Sequence, residues 1–103
     1  LDTVTINQSV PEFIALLSNI KSGYENDTII YTQESADSFI GAAFNILLDN
    51  TIATTTNTLT LNLGTNTGLT VNGNDSLVVA AGTVGKFEVV ITSATTAKVC
   101  RVY

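Results

Sequence analysis

Glu25, Asp27, Glu34 and Asp37 fall within one short stretch of this chain. They are the natural place to look for paired acids, because glycoside hydrolysis sets two carboxyl groups on either side of one bond. They stand beside expected strand and helix ends with no aromatic platform near them, and read as a solvated surface. The run Asn72-Gly73-Asn74-Asp75 offers closely spaced oxygens of the kind a hard cation takes. It carries one carboxylate and lacks the distal glutamate of an EF-hand loop, so it reads as a hairpin turn. Gly64-x-x-x-Gly68 has a nucleotide-like glycine spacing without the following Lys-Ser/Thr of a phosphate loop, and reads as a turn. Cys100 is the only cysteine and the chain has no histidine. A Cys–His nucleophile is therefore excluded, and neither Lys98 nor Arg101 is placed by strand spacing to act as a base on it. Cys100 reads as a small buried apolar residue. No catalytic, cofactor-binding or metal-ligating residue is assigned, and no enzyme is expected.

Composition points the same way. Charged residues make up 13%, with no Trp and no Met, and the formal charge is −5. The cations are Lys21, Lys86, Lys98 and Arg101 alone. Nucleic acid is not an expected partner, since neutralising phosphates takes clusters of Lys and Arg. An anionic membrane surface is disfavoured for the same reason, and no apolar run approaches the roughly 20 residues of a membrane-spanning helix. The chain starts at Leu1 without a basic segment followed by an apolar one, which reads as a processed, excised or trimmed N-terminus. The sequons at Asn7, Asn26 and Asn74 are about as frequent as the Asn, Ser and Thr content gives by chance. Tyr24, Tyr31 and Tyr103 are too scattered to form a stacking platform.

The elements that must position these residues follow from periodicity. Residues 1–8 read as a strand with Val4 and Ile6 inward. Ser9 and Glu12 form an S-x-x-E capping box, Pro11 falls in the first turn, and Val10, Phe13, Ile14, Leu17 and Ile20 recur at helical spacing, which predicts a helix over 9–22. Lys21 and Gly23 are read as its end. Thr28 to Thr32 is a second strand, so the chain opens β-α-β. Ser35, Asp37, Phe39, Ile40, Ala43, Phe44 and Leu47 favour a second helix over 35–48, weakened by Gly41. The competing reading makes Phe44 to Leu48 a strand that turns at Asp49-Asn50 and returns through Thr51 to Thr54.

From Thr51 onward turn residues recur every 8–12 residues, the spacing of an antiparallel sandwich or barrel. Leu59, Leu61 and Leu63 share one face. Thr54 to Thr58 reads as an exposed strand edge or loop. Leu77 to Ala81 reads as a strand buried on both faces. Phe87, Val89 and Ile91 alternate with polar neighbours, and Lys98 to Tyr103 closes a terminal hairpin. The expected fold is α+β and mainly β, a single domain over 1–103. In it the β-α-β opening and the possible second helix pack on an antiparallel sandwich or barrel formed by residues 51–103.

Threonine- and asparagine-rich strands, low lysine, small turns such as Ala81-Gly82-Thr83-Val84-Gly85 and the terminal hairpin from Phe87 to Tyr103 resemble the small structural proteins of tailed bacteriophages. These include head decoration or cement proteins and domains of tail and fibre proteins. The resemblance is one of composition and layout over 51–103, and it carries no functional residue across. It implies a repeated, often trimeric protein on the virion exterior, contacting itself and a major capsid or tail protein. The alternative from another class is a secreted or cell-surface module of pilin or adhesin type, for which similar strands serve. An enzyme or a small-ligand binding barrel ranks behind both.

Overall fold

The computed structural model describes residues 2–18, 20–25, 28–32, 39–53 and 55–103, with side chains taken outside 16–38. Over the described residues the fold is mainly β with one short helix. The elements are β1 (Asp2–Ile6), α1 (Val10–Ser18), β2 (Ile20–Glu25), β3 (Thr28–Thr32), β4 (Ala43–Asp49), β5 (Leu59–Leu63), β6 (Leu69–Val71), β7 (Val78–Val79), β8 (Val84–Ile91) and β9 (Ala97–Arg101).

The capping box forms as its residue types dictate. Glu12 Oε1 accepts from the Ser9 backbone N–H and from Ser9 Oγ, both at 3.0 Å, and the Glu12 N–H donates to Ser9 Oγ at 3.4 Å. Val10 and Ile14 are buried in the core and Phe13 packs against its edge, its ring centroid 4.9 Å from that of Phe44. The helix stops at Ser18, short of the expected end at residue 22. Lys21 and Gly23 instead belong to β2, which pairs antiparallel with β3 and with no other strand among the described residues. The opening is therefore a strand, a helix and a hairpin.

Residues 43–48 are strand and not helix. Phe44, Ile46 and Leu48 take the sheltered side and Ala43, Asn45, Leu47 and Asp49 the exposed side. β4 lies antiparallel to β8, Ala43 opposite Val90 and Asp49 opposite Val84. The cross-strand partner decides the matter, since a short apolar segment next to a fully patterned strand gains more from a ladder than from a propensity for helix. The part of the expected helix at 35–38 lies outside the described residues. Asp49 is still strand and accepts from the Thr51 N–H and hydroxyl, the turn falls at Thr51 and Ile52, and residues 51–53 do not return as a strand beside β4.

Two mixed sheets result, ordered β1-β5-β7 and β4-β8-β9-β6. An all-antiparallel arrangement made from 51–103 alone is thus corrected on two counts. β1 and β4 come from the first half of the chain, and β1–β5 and β6–β9 are parallel pairs. The core takes Ile6, Leu61 and Val79 from the first sheet and Leu48, Leu69, Phe87, Val89, Ile91, Ala97 and Val99 from the second, with Val10 and Ile14 of α1 among them. Leu77 to Ala81 is not buried on both faces, since Val79 is buried while Val78 and Ala80 are exposed.

The turn from Gly64 to Gly68 joins the two sheets and the helix. Gly64 N–H donates to the Ile6 carbonyl, and Val10 N–H to that of Thr67. Thr67, the one buried polar side chain among the described residues, donates to the Gly64 carbonyl at 2.9 Å and accepts from Leu69 N–H at 3.3 Å. Asn66 and Gly68 have φ of +59° and +82°. At Gly68 an added Cβ would overlap the Thr95 carbonyl oxygen, so both conformation and space demand glycine there.

Candidate functional site

Among the described residues, those considered for chemistry are not gathered together. Asp27, Glu34 and Asp37 lie outside the described residues, and Glu25 is a backbone position at the end of β2. Asn72 to Asp75 is a turn with Gly73 at φ +54°, but it runs between β6 and β7 in different sheets and is no hairpin. Its carboxylate is used by the fold, Asp75 Oδ2 accepting from the Arg101 N–H at 2.9 Å. Cys100 is half-buried opposite Glu88 on the neighbouring strand, more open than a core position. Among the described residues no group of three or more His, Cys, Asp and Glu side chains could hold a metal ion, and no helix is long and apolar enough to cross a membrane.

Arg101 is likewise engaged within the fold. Its Nη1 donates to the carbonyls of Ser76 and Val78 at 2.7 and 3.0 Å, and its Nε to that of Tyr103 at 2.8 Å. Asn50 has the same kind of role, its Nδ2 lying 3.1 to 3.3 Å from the carbonyls of Asn57, Val79 and Ala80. Among the described residues, the two carboxylates held below their ordinary range are both exposed structural acceptors. Glu12 is lowered by the backbone and then the side-chain hydrogen bond from Ser9, and Asp49 by the side-chain and then the backbone hydrogen bond from Thr51.

Among the described residues, the two mixed sheets leave edge strands with no further strand partner. The first sheet ends in β1 and β7, and the second in β4 and β6. β7 and β6 are two and three residues long, β1 five, and β4 seven. Short edges resist pairing, whereas long ones present a row of free N–H and C=O groups. β1 is also incompletely covered, Val4 being 41% exposed although it faces inward beside Leu61. Along β4 and its flanks Ile40, Leu47 and Ile52 are 52%, 59% and 90% exposed. The terminal strand β9, by contrast, is no edge, because it lies between β8 and β6. Reading 43–48 as helix hides the β4 edge, and the signal that reveals it is the alternation of Phe44, Ile46 and Leu48. Compared with protein-family models, with curated proteins and with solved structures, the chain has no match in any of the three.

Proposed function

We propose that this chain is a non-enzymatic structural protein of a virus particle, a capsid decoration or cement protein that stabilises a phage head from outside by contacts with itself and with the major capsid protein. The observation that carries the assembly part of this reading is the longer edge of each mixed sheet, β1 and β4, neither of which has a further strand partner among the described residues. Edge strands extend a neighbouring sheet by main-chain hydrogen bonds, which gives affinity without any reactive group. The virion part is supported by the Thr/Asn-rich layout of 51–103. A net charge of −5 fits an outer position, since an acidic protein is repelled by packaged nucleic acid.

The test is mass measurement on the purified chain together with cosedimentation on particles from the source. A multimer that pellets with particles is expected. A strictly monomeric chain that never associates with particles overturns the proposal. Pelleting with sheared tails instead of heads would move the protein to the tail or fibre, and retention on the cell envelope would favour the secreted module of pilin or adhesin type.

A further inference from the structure

We infer that β4 is the seam by which two copies of this chain join, strand against antiparallel strand about a two-fold axis, merging their four-stranded sheets into one continuous sheet. The inference rests on the reading that the chain works by self-association, and it names the edge and the register.

The backbone of β4 fixes which groups are free. The Asn50 N–H donates to the Thr83 carbonyl and the Ile91 N–H to that of Ala42. Within the β4–β8 register the even-numbered residues therefore direct their N–H and C=O toward β8. The polar groups of Ala43, Asn45, Leu47 and Asp49 point the other way, to an edge with no strand partner among the described residues.

Those four residues complement themselves. With the axis at Ile46, Asn45 of one copy exchanges hydrogen bonds with Leu47 of the other, and Ala43 with Asp49. Ile46 then meets its own counterpart, and Phe44 meets Leu48. All seven residues of β4 are paired in this register. Its single charge, Asp49, faces alanine, so no like charges oppose each other. On the inner side the half-covered Phe44 and Ile46 gain apolar neighbours, which continues each core across the seam.

The edge also lacks what keeps natural edges apart. β4 has no lysine, no proline and no bulge, and its sequence Ala-Phe-Asn-Ile-Leu-Leu-Asp leaves the apolar Leu47 exposed on the outer face. An edge this long and this neutral is one that pairs. β1 is the poorer candidate, shorter and opened by Asp2. An isologous contact of this kind gives dimers or assemblies of dimers, which separates it from the trimer implied by the phage resemblance.

The experiment uses single cysteines in the full chain with Cys100→Ser. Residues exchanging hydrogen bonds across antiparallel strands have Cα atoms about 5.5 Å apart, within disulfide range. Asn45→Cys and Leu47→Cys proteins, mixed and oxidised, should yield a covalent dimer, while neither alone should. By light scattering the unmodified chain should have twice the 10.8 kDa of one copy. Asn45→Pro removes an outward N–H without touching the β8 ladder and should return the mass to one copy with the circular dichroism spectrum unchanged. Leu47→Lys should do the same and serves if the proline variant does not fold. A monomeric unmodified chain, a cross-link in either single-cysteine protein equal to that of the mixture, or no cross-link in the mixture overturns the seam. A multimer without the mixed cross-link overturns the seam and leaves the assembly role standing. A cross-linked dimer that never sediments with particles does the reverse.

Discussion

Arg101 and Phe87 stand opposite each other on β9 and β8, with the guanidinium carbon 4.9 Å from the centre of the Phe87 ring. Phe87 is fully buried, so the planar cation roofs the end of the core while its nitrogens tie the strand to the Ser76–Val78 segment. Arg101→Ala should therefore lower stability by about 2–4 kcal/mol, combining hydrogen bonds from a charged donor with a stacking contact. Arg101→Lys should recover less than half of this, because an ammonium cannot reproduce the fork. Urea unfolding followed by circular dichroism measures both.

Asn50 gives a second check. Its side-chain N–H group serves carbonyls of two separate loops, and its backbone carbonyl accepts from Ala53 and Gly82. Asn50→Ala should cost about 1–2 kcal/mol, and Asn50→Asp more, since a carboxylate facing carbonyls has nothing to donate. At roughly 4–8 °C per kcal/mol for a domain of this size, thermal melts should rank the two unambiguously.

Gly68→Ala should be the most damaging small substitution in the turn that joins the sheets. The positive φ and the Thr95 carbonyl both oppose a Cβ, and a loss of about 3 kcal/mol or more is expected. Gly73→Ala, where nothing lies within 4 Å, should cost only the strain of its φ, about 1 kcal/mol. Chemical unfolding of the two variants side by side tests the difference.

Acid should destabilise the fold in a defined window. Glu12 and Asp49 have folded pKa values below their ordinary 4.5 and 3.8, so the unfolded chain binds protons first as pH falls. Their stabilisation is present above those ordinary values and is lost as pH drops through the lower folded ones. Unfolding midpoints measured from neutral pH downward should decline across this range. Glu12→Gln, which retains a capping oxygen, should flatten the decline, and an unchanged slope would refute the assignment.

Deleting 98–103 should unfold the chain outright, because Val99 is fully buried and β9 bridges β8 to β6. A truncated chain with an intact strand spectrum would contradict the topology.

How much of this is legible in the sequence depends on the range of the interaction. The Ser9–Glu12 box spans three residues, and β8 carries its alternation in Phe87, Val89 and Ile91, so local pattern suffices for both. β4 misleads because Phe39, Ile40, Ala43, Phe44 and Leu47 also fit a helical stripe, and only the ladder with β8, far along the chain, selects between the periods. The end of α1 is misjudged because Lys21 and Gly23 suit a helix terminus and a hairpin equally well. The candidate edge is a property of sheet order, and the parallel pairings that set that order leave no mark on the strands themselves.

Those parallel pairings bear on how the chain reaches its fold. Thr5 and Asn62, joined by a side-chain hydrogen bond across β1 and β5, are 57 residues apart in sequence. The long loop between them must be closed before any stabilising contact of that pair is made, and little local structure offsets the loss of freedom. The chain should accordingly be a slow folder, in the millisecond-to-second range of proteins dominated by distant pairings. Until β8 docks on it, the β4 segment is exposed on both edges, so the strand that is suited to join finished copies is also one apt to join unfinished ones.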